Sequence, residues 1–407
     1  MAELKYIFNF ILDNLAYFTI PVVSAMVGWF TNWLALKMTF YPIEFFGVKP
    51  FGWQGIIPSK AKKMAETAVD LWSSRLFNME EEFAKIKPEQ VAVEMKPAVE
   101  RLSKEIMEEV MNAQLPFIWK FATPAMKFQL YERVGEELPG IVAQMMEEVK
   151  LHFSELLDLK TLAVATLTQN KKLLNQVFIK CGHREFKFIE KSGFYFGFLF
   201  GLLQMTIWYF YEAWWILPLA GFMVGYLTND LALRLIFRPL NPIKLGFVEI
   251  QGLFIKRQSE VSEEYSKIIA SRVISIENIF EYIVRGPGKE RLTRIVENQM
   301  EITINKAIGD NQKWFDLLAG KNIFYYIRNI AAFKFMQELP MNIRHVFGYA
   351  GNALNLEYLL KTKMQNLSPR EFEAFLRPVF KEDELTLIMV GAFLGGLAGL
   401  AQYFILF

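Results

Sequence analysis

The sequence predicts an all-α integral membrane protein with four transmembrane helices in two parallel repeats. Each repeat reads as a span, a helical domain and a returning span, with two amphipathic helical-bundle domains on one side of the membrane. Three observations predict this. Hydrophobic residues make up 53% and aromatic residues 15% of the 407 residues, above the usual share in soluble domains. Four stretches approach the roughly 20 apolar residues that cross a ~30 Å hydrocarbon core. Finally, VGWFTNWLALKMTFYP, Val27 to Pro42, returns as VGYLTNDLALRLIFRP, Val224 to Pro239, displaced by 197 positions.

The spans run from about Leu15 to Leu36, Gly193 to Tyr211, Trp214 to Phe237 and Leu385 to Phe407. The organisation expected is a first segment with span one (1–40), a helical domain (41–190), a transmembrane hairpin (191–239), a second helical domain (240–384) and span four (385–407). No removable signal peptide is expected, because Met1 to Asn14 carries Glu3 and Asp13 and no small-residue cleavage site follows. Lys37, Lys49, Arg184, Lys187, Arg234 and Arg238 flank the spans on the domain side, against Lys5 on the other. The bias of basic residues toward the cytoplasm makes the large domains cytoplasmic. Trp208, Tyr209, Tyr211, Trp214 and Trp215 crowd the hairpin tip as an interfacial aromatic belt.

The intervening domains read as helices. Val142, Met145, Met146, Val149, Phe153, Leu156 and Leu157 share one helical face, as do Val99, Leu102, Ile106 and Val110, with Glu100 four residues before Lys104. Ser368-Pro369-Arg370-Glu371 is a capping box with proline at the first helical position. No alternation is long enough to argue for a sheet.

From Pro21 to Pro42 and Pro218 to Pro239, eleven of 22 aligned positions are identical without a gap. The register continues through Gln54-Gly55 with Gln251-Gly252, and Phe83 with Phe280; Arg184-Glu185-Phe186 resembles Arg370-Glu371-Phe372, and Gly197, Gly201 and Gln204 match Gly395, Gly399 and Gln402. Two units of the same topology imply a pseudo-twofold axis along the membrane normal.

The blocks Arg184 to Gln204, Leu217 to Pro239, Gln251 to Gln258 and Phe380 to Gln402 resemble the bacterial membrane proteins classed as domain-of-unknown-function family 445. The resemblance covers nearly the whole chain. It implies a helical protein of the bacterial inner membrane and brings no catalytic residues with it.

Two groups of residues are candidates for a site. Thr31, Asn32, Thr228, Asn229 and Gln204 are polar within spans, and Asp230 stands four residues before Arg234 in the place of an ion pair. The plain reading is hydrogen-bonded glue between the two halves about the pseudo-twofold axis; the sharper one is a polar pathway or headgroup site. Gln54, Lys60, Lys62, Lys63, Gln251, Lys256 and Arg257 lie where each chain returns to water and starts a helix. There they suit either positive-inside anchoring or an anionic lipid headgroup.

Enzyme signals are poor. Cys181-Gly182-His183 has no third partner, His152 falls on an apolar stripe and reads as a core histidine, and Gly286-Pro287-Gly288-Lys289 is a turn, too short for a phosphate loop. One cysteine excludes an internal disulfide framework and fits a reducing compartment. Three histidines and one thiol leave little for a metal, so no metal or cofactor is expected. The net charge of +2 excludes a global field for nucleic acid. Membrane lipids remain as partners, beside a protein partner or a second copy. The expected role is a non-enzymatic scaffold or tether, with a carrier of lipid or another hydrophobic solute as the alternative.

An alkaline phosphatase reporter joined after Phe407 tests the topology. It should be active on the extracytoplasmic side; activity of a cytoplasm-specific reporter at that point contradicts the orientation.

Overall fold

A computed structural model describes residues 15–48, 52–246, 248–308, 323–381 and 384–406. Glu3, Lys5, Asp13, Lys49 and Phe407 lie outside the described residues. In chain order the principal elements are α1 (Leu15–Phe40), α2 (Ala61–Leu71), α3 (Pro88–Gln114), α4 (Pro124–Leu151), α5 (Lys171–Cys181), α6 (His183–Phe210), α7 (Ile216–Phe237), β1 (Ile243–Leu245), β2 (Val248–Ile250), α8 (Gln258–Ile268), α9 (Lys289–Ile308), α10 (Ile323–Asn342), α11 (Pro369–Lys381) and α12 (Glu384–Leu406).

The helices α1, α6, α7 and α12 have the length and composition to cross a membrane. Their burial is inverted relative to a soluble bundle. On α1, Phe18, Val22, Met26 and Phe30 are exposed while Ser24, Ala25, Thr31 and Asn32 are buried. That is the pattern expected when lipid is the solvent and small or polar groups make the seams. The second span begins ten residues before the Gly193 expected, at His183, because the polar start HREFKFIEKS continues into the same helix. Tyr209, Tyr211, Trp214 and Trp215 are exposed at the hairpin tip, but Trp208 is buried among Ile20, Ile216 and Leu217 and so belongs to the core, not to the belt.

The chain forms two compact units, each pooling stretches of both halves. The first contains Met1–Trp72, Val164–Ile268 and Leu360–Phe407; the second contains Ser73–Ala163 and Ile269–Leu359. The domains drawn from the sequence at 41–190 and 240–384 follow chain order, whereas the structure pairs corresponding stretches. The reason is visible in the helix faces. In the first unit α2 packs on α11 and α8 packs on α5, so each outgoing helix covers its apolar face with the return helix of the other half. Trp72 Nε1 donates to Tyr265 Oη across this joint at 2.7 Å.

In the second unit α3 pairs with α4 in a long hairpin, and α9 and α10 complete the layer. Val99, Leu102 and Val110 are buried as their spacing predicts, and so are Val142, Met145, Met146, Phe153, Leu156 and Leu157. Glu100 faces Lys96, one turn back, at 3.8 Å, not Lys104. His152 is not a core histidine: it ends α4, remains half-exposed, and sets Nδ1 3.0 Å from the Glu148 carbonyl. Gly286 to Gly288 turns into α9 at Lys289 as expected.

One element absent from the sequence reading is a small antiparallel hairpin, β1–β2, with Ile243 opposite Ile250. Phe46 and Trp53, 197 residues earlier, make the corresponding bridge. Three-residue strands are too short for an alternation signal. The capping box forms as predicted: Ser368 N and Oγ donate to Glu371 Oε2 at 2.9 and 2.7 Å, and Glu371 N donates back to Ser368 Oγ at 3.3 Å.

Candidate functional site: the polar residues of the spans

Glycines decide how close the spans come. A Cβ on Gly28 of α1 would stand 2.3 Å from the Gly193 carbonyl oxygen of α6, and one on Gly225 of α7 would stand 2.1 Å from the Gly391 oxygen of α12. Both distances are inside any tolerated contact, so only glycine permits the backbones to touch. The seams continue at Gly197 against Ser24 and Ala25, and at Gly221 against Gly395.

At this separation an asparagine on one helix reaches the main chain of the other. Asn32 Nδ2 donates to the Ile189 carbonyl at 2.6 Å, and Asn229 Nδ2 donates to the Leu387 carbonyl at 3.0 Å. Both side chains are buried. The expectation that these residues join the two halves about an axis is corrected here: each asparagine ties an outgoing span to the returning span of its own half. The threonines bond even more locally. Thr31 Oγ1 donates to the Gly28 carbonyl at 3.2 Å and Thr228 Oγ1 to the Gly225 carbonyl at 3.4 Å. Ser24 Oγ donates to Gln204 Oε1 at 2.9 Å within the same α1–α6 seam. Arg234 Nε donates to Asp230 Oδ1 at 2.9 Å, the one-turn pair that their spacing predicts.

The second group separates into clips, an ion pair and surface lysines. Gln54 Nε2 donates to the Ile43 carbonyl at 2.7 Å, and Gln251 Nε2 to the Leu240 carbonyl at 3.0 Å, so both amides hold the loop that follows a span. Gly55 and Gly252 let that loop lie on the span end, since a Cβ would meet the Phe40–Tyr41 or Phe237–Arg238 peptide at 2.7 and 2.5 Å. Arg257 Nη1 donates to both oxygens of Glu185 at 2.6 and 2.7 Å, with Glu185 only 1% exposed. Burial works against the charge of Arg257, but the hydrogen bonds and charges of Glu185 and of Glu260, 3.0 Å away, together outweigh it and hold the guanidinium above its ordinary pKa. Its guanidinium is therefore spent inside the protein. Lys62, Lys63 and Lys256 are exposed, Lys62 standing 3.9 Å from Glu66, while Lys60 is half-buried at the start of α2.

Three residues that sequence reasoning did not single out complete the arrangement. Glu185 is the acid in the first turn of α6, and a carboxylate opening a membrane-length helix is the signal that points to it. Asn175 on α5 donates Nδ2 to the Phe40 carbonyl at 2.6 Å. Glu373, 198 residues later on α11, accepts from Arg238 Nε at 3.2 Å and Arg377 Nη1 at 2.8 Å. The resemblance of Arg184-Glu185-Phe186 to Arg370-Glu371-Phe372 is local: the first lies in a span start, the second in the cap of a separate helix.

The thiol and imidazole of Cys181 and His183 do not form a pair, because Cys181 is buried and His183 exposed. Burial pushes the Cys181 thiol up to about 12, the opposite of an activated nucleophile. Among the described residues no group of three or more His, Cys, Asp or Glu side chains is arranged to hold a metal ion.

These features define a multi-pass α-helical membrane protein in which Ser24, Asn32, Gln204 and Asn229 face helix seams. Proteins described as UPF0754 membrane proteins are similar to it. The chain is 27% identical over 118 residues to one from Microcystis aeruginosa, covering 28% of each chain. Identity is 33% over 99 residues to one from Thermosynechococcus vestitus, 24% of each chain, and 24% over 150 residues to one from Bacillus cereus, 36% of each. The chain thus spans about a quarter to a third of the length of the curated relatives it matches. No protein-family model matches the chain, and no solved structure matches it.

Replacing Arg257 by Met strands the buried Glu185 carboxylate and should cost about 3 kcal/mol of stability. Arg257→Met combined with Glu185→Leu should recover most of that loss, as read by thermal unfolding in detergent. Equal losses in the single and double variants contradict the pairing.

Proposed function

We propose that this chain is a non-enzymatic scaffold or tether of the bacterial inner membrane, built from a duplicated unit and holding paired helical stretches at the cytoplasmic surface. The observation that carries this reading is the state of the polar residues in the spans. The Asn32, Asn229 and Ser24 hydrogen bonds all cross glycine seams where backbones touch. Such groups join helices; a pathway needs them to face a space.

Duplication is supported by geometry as well as by spelling. The glutamine clips and the bridges Phe46–Trp53 and Ile243–Ile250 recur at a spacing of 197 residues, and the asparagine bonds recur with donors 197 and acceptors 198 apart. Trp72–Leu76 and Ile269–Val273 are both five-residue π-helices, again 197 apart. The cytoplasmic orientation rests on the basic residues that flank the spans, and the bacterial inner membrane on the resemblance to family 445.

A carrier of a hydrophobic solute is the second reading. It draws on an apolar cavity of about 80 Å³ in the second unit, lined by Phe83, Met95, Met145, Phe280, Leu292 and Phe335 among others. An engineered cavity of ~150 Å³ holds benzene, so this one is small for an acyl chain. It fits a packing gap between Met-rich helices better than a lipid site.

The two readings part in a transfer assay between labelled donor and unlabelled acceptor vesicles. The full-length protein should move fluorescent phospholipid no faster than the protein-free control. Transfer above control that falls when Val142→Phe fills the cavity would establish the carrier instead.

A further inference from the structure

Outside the spans, large apolar side chains stand exposed at the α3–α4 turn, where Phe117 is 79% exposed, and in the loops that leave α1 and α7. Those loops belong to the same compact unit as the spans, so their place relative to the spans is fixed. After α1, Phe46 is 78% and Val48 80% exposed, with Tyr41 and Phe45 also exposed beside them; after α7, Ile243 is 52% exposed. Scattered single apolar residues on a surface need no explanation, but four large ones between positions 41 and 48 form a patch that marks an interaction site.

Both loops are held at the span ends. The Gln54 and Gln251 clips close each loop at its base, and the backbone repeats them: Gly55 N donates to the Pro42 carbonyl at 2.8 Å and Gly252 N to the Pro239 carbonyl at 2.9 Å. Phe46 and Trp53 exchange N–H···O bonds at 2.9 and 2.8 Å, so the first loop folds back on itself. Phe46 follows the end of α1 by six residues and cannot stand more than about 20 Å from it.

The direction of the loops follows from what caps the spans. The last carbonyls of a helix point along its axis. Asn175 Nδ2 meets the Phe40 carbonyl there, and Gly55 lies on the Phe40–Tyr41 peptide. Beyond α7, Gly252 takes the same place on the Phe237–Arg238 peptide. With the axial space filled, each loop leaves its span sideways, at the depth of the helix end. The 26 residues of α1 extend about 39 Å and the 22 of α7 about 33 Å, longer than a ~30 Å hydrocarbon core, which brings both ends to the headgroups. Lys37 Nζ lies 5.5 Å from the centre of the Tyr41 ring, so this ring turns back along the last turn of α1. A tyrosine and a snorkelling lysine together are side chains of a membrane boundary.

Apolar area, not charge, selects the occupant. Each loop carries an acid beside a base: Glu44 accepts from Lys171 Nζ at 2.9 Å, and Glu249 stands opposite Lys244 in the β1–β2 register. Apolar side chains spread at headgroup depth have the acyl boundary of the bilayer as their nearest apolar phase. We propose that the exit loops of α1 and α7, through Phe46, Val48 and Ile243, dip into the headgroup and acyl boundary of the leaflet where their own spans end. They form two interfacial anchors, one per repeat, that set the depth of the first unit. This goes beyond the scaffold reading and does not rest on it.

The test uses the full-length protein in phosphatidylcholine nanodiscs, with an environment-sensitive dye on Phe46→Cys or Ile243→Cys and the buried Cys181 unlabelled. Both dyes should emit to the blue of the same dye on free cysteine and lose fluorescence when the lipid carries a nitroxide near the top of its acyl chain. Iodide should quench them at least about fivefold less than the free adduct. High salt and added phosphatidylglycerol should leave these readings unchanged. Phe46→Asp should return a dye on Val48→Cys toward the free adduct, with an unchanged melting curve as the check on folding. Iodide quenching at the level of the free adduct overturns the proposal in favour of loops that stand in water. Protection from iodide without nitroxide quenching overturns it in favour of a protein cover. A signal that requires phosphatidylglycerol, vanishes in high salt or survives Phe46→Asp overturns apolar burial as its cause. None of these results alters the lipid-transfer assay or the scaffold reading it tests.

Discussion

Backbone contact between glycines is the constraint on which the membrane-spanning unit depends. Lipid tails supply no hydrophobic drive for one span to leave them for another, so association rests on close packing and on polar groups that would be costly in hydrocarbon. At Gly28 and Gly193, and at Gly225 and Gly391, the helices meet without an intervening side chain. Only at that spacing can the short arm of Asn32 or Asn229 reach a carbonyl on the opposite helix. The packing and the hydrogen bond therefore depend on each other, and the polar residues follow from the glycines.

Beyond the spans the halves are held by different chemistry. The bidentate Arg257–Glu185 pair and the Trp72–Tyr265 hydrogen bond join first-half to second-half residues. Each compact unit draws on both halves, with α2 on α11 and α8 on α5, so neither half covers its own apolar faces alone.

Much of this was legible in the sequence where the signal was long or doubled. Four spans, the amphipathic faces around Val99 and Val142, the Ser368 capping box and the Asp230–Arg234 pair all rest on spacing, which helices translate directly into neighbours. Partner identity was less legible. Asn32 and Asn229 were visible as polar groups in apolar runs, yet whether they bond within or between halves depends on which helices adjoin, and spacing does not encode that. For the same reason Arg257 read as a positive-inside anchor or a headgroup contact, when its partner, Glu185, lies 72 positions away. The pooled units were hidden because chain order suggests that neighbours in sequence share a domain, whereas here equivalent stretches share one. The β1–β2 hairpin was too short to announce itself, and Trp208 was drawn into the aromatic belt by its neighbours although it packs against Ile20 and Leu217.

Water accessibility of the seams tests the central claim most directly. Thr31→Cys and Thr228→Cys are close in size to the native residues and lie at 1% and 0% exposure. Each is placed in a Cys181→Ala background and treated with a membrane-impermeant maleimide applied to both sides of the membrane. The account predicts no labelling at either position, against rapid labelling of a Phe117→Cys control. Labelling of Cys at position 31 or 228 at a rate near the control would contradict it, because a water-filled path would then run where the helices are held in contact.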